Sequence, residues 1–155
     1  MPPPFNNANQ NARVNHPARP NPQALPNRPN TAQLTPRYAV QPPVAVGVRS
    51  QEIRATLNGS QQVAGSLELT RLAPGKGFIS NLVVGQEHRR RGIAVQLISA
   101  AVTTARRQQL KSLSLEARPS DSGISPQALV AMYRRQGFTS VGKSSRGNPM
   151  MERKL

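Results

Sequence analysis

The sequence has no cysteine and no tryptophan. The first absence excludes disulfides, thiolate zinc sites and cysteine nucleophiles. The second leaves Phe78, Tyr133 and Phe138 as the aromatic side chains beyond residue 45, so any core must be built from Leu, Ile, Val and Ala. Two histidines far apart, His16 and His88, make a poor ligand set, and no metal is expected. Acids are scarce: six Asp plus Glu stand against 21 Lys plus Arg, a formal charge of +15. Residues 46–155 alone carry 17 of those bases and all six acids, a net of +11. A field of that sign favours polyanions or acidic partners and disfavours polycationic small molecules as substrates. No run approaches the roughly 18 apolar residues of a membrane span, and the N-terminus lacks the apolar centre of a cleaved secretory signal. A cytoplasmic protein is expected.

What is present divides at about residue 45. Residues 1–45 hold eleven of the fifteen prolines, eight asparagines, four arginines and no acid, with neither a helical nor a strand period. Such a segment buries too little apolar surface to offset its ordering entropy, and it is expected to be disordered or polyproline-like. An acid-free, Asn/Pro/Gln-rich leader is also similar to the N-terminal signals of effectors injected by bacterial type III secretion, which would place the protein in a host cell; a plain disordered tail is the alternative. Residues 46–155 remain for one domain with a modest core.

Within that domain Ile53, Ala55 and Leu57 alternate with polar residues, Asn58-Gly59 follows, and Val63, Gly65, Leu67 and Leu69 resume the alternation. Two period-two runs around Asn-Gly predict a hairpin. Ala73-Pro74-Gly75-Lys76-Gly77 predicts a second turn, and Phe78–Val84, apolar on both faces, a central strand. From Gly92 the spacing changes to Ala94, Leu97, Ile98, Ala101 and Ala105, an amphipathic helix closed by Arg106-Arg107. Leu113 and Leu115 mark a short strand. A second helix starts near Ser125 with Pro126 in its first turn, carries Leu129, Met132 and Tyr133 on one side, and stops at Gly137. Residues 138–141 and 149–155 supply a closing pair of strands. The order β-β-β-α-β-α-β-β predicts an α/β (α+β) domain: a mixed, mostly antiparallel sheet with helices packed on it.

The chemistry concentrates where the central strand meets the first helix, in V84-G-Q-E-H-R-R-R-G-I-A-V-Q-L97. The first N–H groups of a helix have no internal partner and the dipole adds about half a positive charge, so a tight turn into a helix is an anion site. Gly92 admits close approach of a phosphate, Ala94 leaves the helix start clear, and Arg89, Arg90 and Arg91 add charged donors. A pyrophosphate suits this arrangement better than a duplex backbone. Taken singly, the arginine triplet also fits a solvated basic face, Tyr133 a core aromatic, and Glu116 a solvated or Arg-paired carboxylate.

Arg89-x-x-Gly92-x-Ala94 resembles the Q/R-x-x-G-x-G/A acetyl-coenzyme A motif of the GCN5-related N-acetyltransferases. Tyr133-Arg-Arg-Gln-Gly137-Phe138 resembles the family's Y-x-x-x-G-F, Pro149–Leu155 its closing strand, and Leu115-Glu116-Ala117-Arg118 the L-E-V-R of its ribosomal-protein alanine acetyltransferase branch. The resemblance implies that strands part beside the motif and that the backbone of Leu82, Val83 and Val84 pairs with the pantetheine of acetyl-CoA. It implies that Arg89, Arg90, Arg91, Gly92, Ile93 and Ala94 hold the pyrophosphate, that Glu116 is the general base and that Tyr133 is the general acid. It departs from the family in two places. The N-terminal helices that form one wall of the acceptor site are reduced or missing, a strand near Val44 to Val48 being the most that region offers, and residues 119–126 replace the branch's shorter Ser-Asn connection. The expected activity is transfer of an acetyl group from acetyl-CoA to an amine of a protein or peptide that is acidic or nucleic-acid-associated. A secreted effector with that chemistry, or a non-catalytic acyl-CoA or nucleic-acid binding module, are the alternatives.

Overall fold

The computed structural model describes residues 37–119 and 123–155. The expected disorder of residues 1–36 therefore lies outside the described residues. Tyr38–Val40 (β1) and Val44–Ala45 (β2) are short strands on either side of Pro42-Pro43. Both pair antiparallel with Ser50–Leu57 (β3), at Tyr38↔Leu57 and Val44↔Glu52. β2 falls within the strand expected near residues 44–48, whereas composition groups β1 with the N-terminal segment, because the prolines interrupt the ladder after three residues and leave β1 too short to show a period.

The expected meander follows. β3 pairs antiparallel with Val63–Ala73 (β4), which pairs with Lys76–Val84 (β5) across the Pro74-Gly75 turn. Residues 85–92 then lead into the helix Ile93–Arg107 (α1). Crossing over the sheet, the chain returns as Ser112–Glu116 (β6), parallel to β5. Pro126–Arg135 (α2) follows, and Thr139–Lys143 (β7) and Pro149–Lys154 (β8) close the sheet. The sheet order is β1-β3-β4-β5-β6-β8-β7, with β2 also on β3. β5 lies at its centre, as its two apolar faces require.

The core is aliphatic. α1 buries Ile93, Leu97, Ile98, Ala101, Val102 and Ala105 against Ile53, Leu67, Leu69 and Ile79 of the sheet. Full burial of each large side chain in that set contributes roughly 1.5–3 kcal/mol. Close packing at the start of α1 depends on Gly65: a Cβ there would stand 2.8 Å from the Val83 carbonyl oxygen, 3.2 Å from Ile93 and 3.3 Å from Leu97. α2 starts with Pro126 after Ser125, whose hydroxyl accepts from the Ala128 N–H at 3.2 Å. It buries Leu129 and Tyr133.

Phe138 joins α2 to this core and is 1% exposed. Phe138→Ala is expected to cost about 3–5 kcal/mol, because the ring's transfer energy is lost and the cavity left behind collapses only partly. Urea unfolding followed by circular dichroism measures it. A loss under about 1 kcal/mol would mean that the α2 end is not part of the cooperative unit.

Candidate active site

β5 and β6 pair in parallel from Lys76↔Ser112 to Ile79↔Leu115 and no further. The reason lies in β5. Ser66 faces Val83 and Glu68 faces Ser80, so Asn81 and Leu82 together oppose the single residue Leu67. This is a β-bulge, and Asn81 takes φ 51 within it. Asparagine tolerates that region better than the apolar residues around it, and here its Nδ2 also donates to Glu68 Oε2 at 3.1 Å. The bend carries Leu82, Val83 and Val84 away from β6 while they remain alongside β4. One edge of β5 therefore has no strand beside it.

The gap is a cavity of about 340 Å³, lined by Phe78 to Val83 of β5, by Leu115, Glu116 and Arg118, and by Tyr133. A smaller one of about 80 Å³ continues from it past Leu82, Tyr133 and Leu129 to Arg89 and Ala94 at the start of α1. Of the residues that the sequence singles out, Leu82, Val83, Val84, Arg89, Ala94, Glu116 and Tyr133 line these cavities, with Tyr133 on the wall of both; Arg90, Arg91, Gly92 and Ile93 line neither, and the Ile93 side chain is buried in the core. The Tyr133 ring is 5% exposed and packs edge-on against Phe138, with centroids 6.1 Å apart. Burial pushes its hydroxyl up to about 12. Among the described residues that hydroxyl has no hydrogen-bond partner.

At the far end of the gap, Gly92 caps α1 at φ 76, with no side chain satisfying the first N–H groups of the helix. A Cβ at Gly92 would meet no atom within 4 Å, so the space in front of the helix is open. The three arginines have separate positions. Arg89 is half-buried and its Nε donates to the Val84 carbonyl at 3.2 Å, so that carbonyl is already engaged. Arg90 is exposed at φ 60. Arg91 donates to the Tyr38 hydroxyl at 3.2 Å, and that oxygen also lies 3.2 Å from Nδ1 of buried His88. On its other side His88 Nε2 is 3.4 Å from Glu87 Oε1 and makes no hydrogen bond. β1 is thereby tied to the turn that precedes α1, a link no local pattern in the sequence indicates.

Glu116 stands on the cavity wall, and Oε1 accepts from Ser144 Oγ and Asn148 Nδ2, both at 2.7 Å. Asn148 first and Ser144 next, aided by Arg146 and Arg118, hold its carboxyl below the usual carboxylate range against a smaller opposing effect of burial. Sequence reasoning did not find either donor. They lie about thirty residues away, in the β7–β8 turn, and reach Glu116 because β6 and β8 pair at Glu116↔Met150.

Comparison with known proteins agrees with this geometry. The sequence model of the acetyltransferase (GNAT) family matches residues 30–138. Among solved structures, a GNAT family acetyltransferase from Elizabethkingia anophelis with acetyl-CoA bound superposes with a TM-score of 0.61 at 14% identity, covering 76% of this chain and 98% of that one. PaiA N-acetyltransferase from Thermoplasma acidophilum, in complex with coenzyme A, gives 0.58 at 18%, covering 69% and 62%. The ribosomal-protein-S18-alanine N-acetyltransferase from Escherichia coli gives 0.55 at 19%, covering 70% and 71%. At these identities the likeness establishes the fold. No curated protein matches the sequence. The family match spans more than half of the chain and takes in the parted strands, the Gly92 turn and Tyr133: the chain belongs to the acetyltransferase (GNAT) family.

Proposed function

We propose that the protein transfers the acetyl group of acetyl-CoA to an amine of a protein or peptide. The observation that carries this reading is the end of β5–β6 pairing at Ile79↔Leu115, which opens a cavity running to the uncapped start of α1. Acetyl-CoA supplies an activated thioester carbonyl. The unpaired edge of β5 at Leu82 offers peptide groups to an extended amide-bearing arm, whereas the carbonyl of Val83, which the resemblance also assigns to the pantetheine, is turned to Gly65 of β4. The N–H groups of Gly92, Ile93 and Ala94, with the positive end of α1 and Arg90 beside them, suit the pyrophosphate. Arg89 and Arg91 act partly by holding the turn, through Val84 and Tyr38.

The chemistry needs a neutral amine and a proton for the departing sulfur. Tyr133 is protonated throughout the neutral range and lies on the cleft wall, so it is placed to supply that proton. Glu116 is ionised, but its lowered pKa makes it a poor proton acceptor. Its environment supports attraction and orientation of the acceptor's ammonium more than the general-base role that the resemblance implies. Calorimetric titration with acetyl-CoA, followed by thiol release with protein amines, tests the whole reading. Absence of acetyl-CoA binding would overturn it; binding with no thiol release on any amine would leave a non-catalytic acyl-CoA module.

The grip on Glu116 gives a separate expectation. Asn148→Ala removes the largest cause of the lowered pKa, so the acid limb of the kcat/KM profile should move up towards the ordinary value of about 4.3. Loss of orientation should raise the acceptor's KM about tenfold with acetyl-CoA affinity unchanged. A fall in kcat at constant KM would return Glu116 to the base role.

A further inference from the structure

The excess of cations is concentrated at the end of the sheet remote from Gly92, where β3, β5 and β6 begin and β4 and α1 end. There the Arg71 N–H donates to the Arg49 carbonyl at 2.8 Å, the Lys111 N–H to the Gly75 carbonyl at 2.6 Å, and the Arg71 guanidinium to the Gln108 carbonyl at 3.3 Å. Arg49, Arg71, Lys76 and Lys111 are exposed at this end; Arg106 and Arg107 are exposed at the adjoining end of α1, where Arg107 also lines a separate hollow with Val40 to Pro43. Residues 49–50, 70–77 and 106–112 contain no acidic side chain. The Arg54–Glu52 ion pair, at 2.6 Å, lies elsewhere. Between this face and the Gly92 turn runs the whole of α1, 15 residues or roughly 22 Å at 1.5 Å per residue. These charges are therefore not part of the acetyl-CoA site.

Local structure accounts for half of them. Arg106 and Arg107 meet the negative end of the α1 dipole, and Arg71 satisfies a carbonyl there. Arg49, Lys76 and Lys111 have no such counterpart, and gathering them next to three more cations costs stability through mutual repulsion. A polyanion would remove that cost. Between Arg49, Arg71, Leu72 and Gln108 the face is hollowed by a cavity of about 450 Å³, wide and shallow rather than enclosed. No aromatic side chain stands on it, so it offers no platform for stacking unpaired bases. Val48 and Leu72 are exposed and line the same hollow, but without the aromatic anchors of a membrane-surface element. Four of the six cations are arginines, whose planar forks suit phosphate oxygens.

We infer that this face binds the phosphate backbone of a nucleic-acid duplex without reading bases, as a second surface independent of the acetyl-CoA cleft. The test is fluorescence anisotropy of the full chain with mixed-sequence duplex RNA, duplex DNA and, separately, phosphatidylserine vesicles. With about five phosphates neutralised, log K against log salt should fall with a slope of about −4 to −5. Arg49→Glu with Lys111→Glu should weaken duplex binding at least tenfold and lower the slope by about two. The milder pair Lys76→Gln with Lys111→Gln should act in the same direction. Unchanged circular dichroism and thermal unfolding show that both variants fold. Gly92→Glu should leave duplex binding intact, so failure of the acetyltransferase reading and failure of this one are separable. Equal binding of both duplexes, or preference for RNA, supports the inference. No salt-dependent binding to either duplex, binding that ignores both variant pairs, or binding to vesicles in place of duplexes overturns it.

Discussion

Gly92→Glu is expected to weaken acetyl-CoA binding by 10²–10³-fold while leaving the fold in place. The glycine stands at φ 76 in front of α1, where a side chain has open space but an L-residue has a strained backbone. Strain of about 1–2 kcal/mol acts on the free and bound protein alike, so alone it lowers stability more than affinity. The carboxylate acts on affinity. It lies where the pyrophosphate must lie, and at an effective dielectric near 20 a like-charge pair about 4 Å apart costs about 4 kcal/mol, close to a thousandfold. It is also drawn to the unsatisfied helix N–H groups and competes for them directly. Gly92→Ala separates the two effects: it keeps the strain, adds no charge, and should lose about 1 kcal/mol of stability with only a few-fold loss of affinity. Calorimetry on both variants, with thermal unfolding alongside, makes the comparison. If the glutamate variant binds acetyl-CoA within a few-fold of the parent, the start of α1 is not the pyrophosphate site.

The parts of this site that were legible in the sequence are those in which a local pattern dictates a local conformation. Gly92-x-Ala94 follows a strand and opens a helix of plain periodicity, so both the turn and its open N–H groups can be read within a dozen residues. The Asn58-Gly59 hairpin, the Ser125-Pro126 helix start and the Gly137 stop are of the same kind, and each is found where expected. Long-range register escaped the reading. Ser144 and Asn148 reach Glu116 through the β6–β8 pairing, and Tyr38 reaches Arg91 and His88 because β1 lies against the end of β3. A register slip of one residue would turn each of these side chains to the other face, and no spacing in the sequence records it. Asn81 is an intermediate case. An asparagine inside I-S-N-L-V-V is an irregularity in an apolar strand, and the bulge there is what parts β5 from β6. The residue was visible as a signal, but its consequence required knowing that β6 is its neighbour.

Tyr133→Phe is the sharpest test of catalysis, because it removes one oxygen and leaves the packing intact. The ring keeps its edge-on contact with Phe138 and its place in the core, and the lost hydroxyl has no hydrogen-bond partner among the described residues. Stability should therefore change by less than about 0.5 kcal/mol, and acetyl-CoA affinity by no more than a few-fold. kcat should fall by about 10²–10⁴, the usual worth of a positioned proton donor. The pH dependence carries a further sign. Burial favours the neutral phenol in the folded state and raises its pKa to about 12. The associated stability is present below the ordinary value near 10 and is lost as pH rises through the folded value. The parent should accordingly show no basic limb from Tyr133 up to about pH 10, since the group stays a donor throughout that range. Rapid-mixing measurement of thiol release reads the chemical step apart from acceptor binding and product release. Should the variant release thiol within about threefold of the parent rate, the departing sulfur takes its proton from water and Tyr133 serves only as the wall on which the two cavities meet.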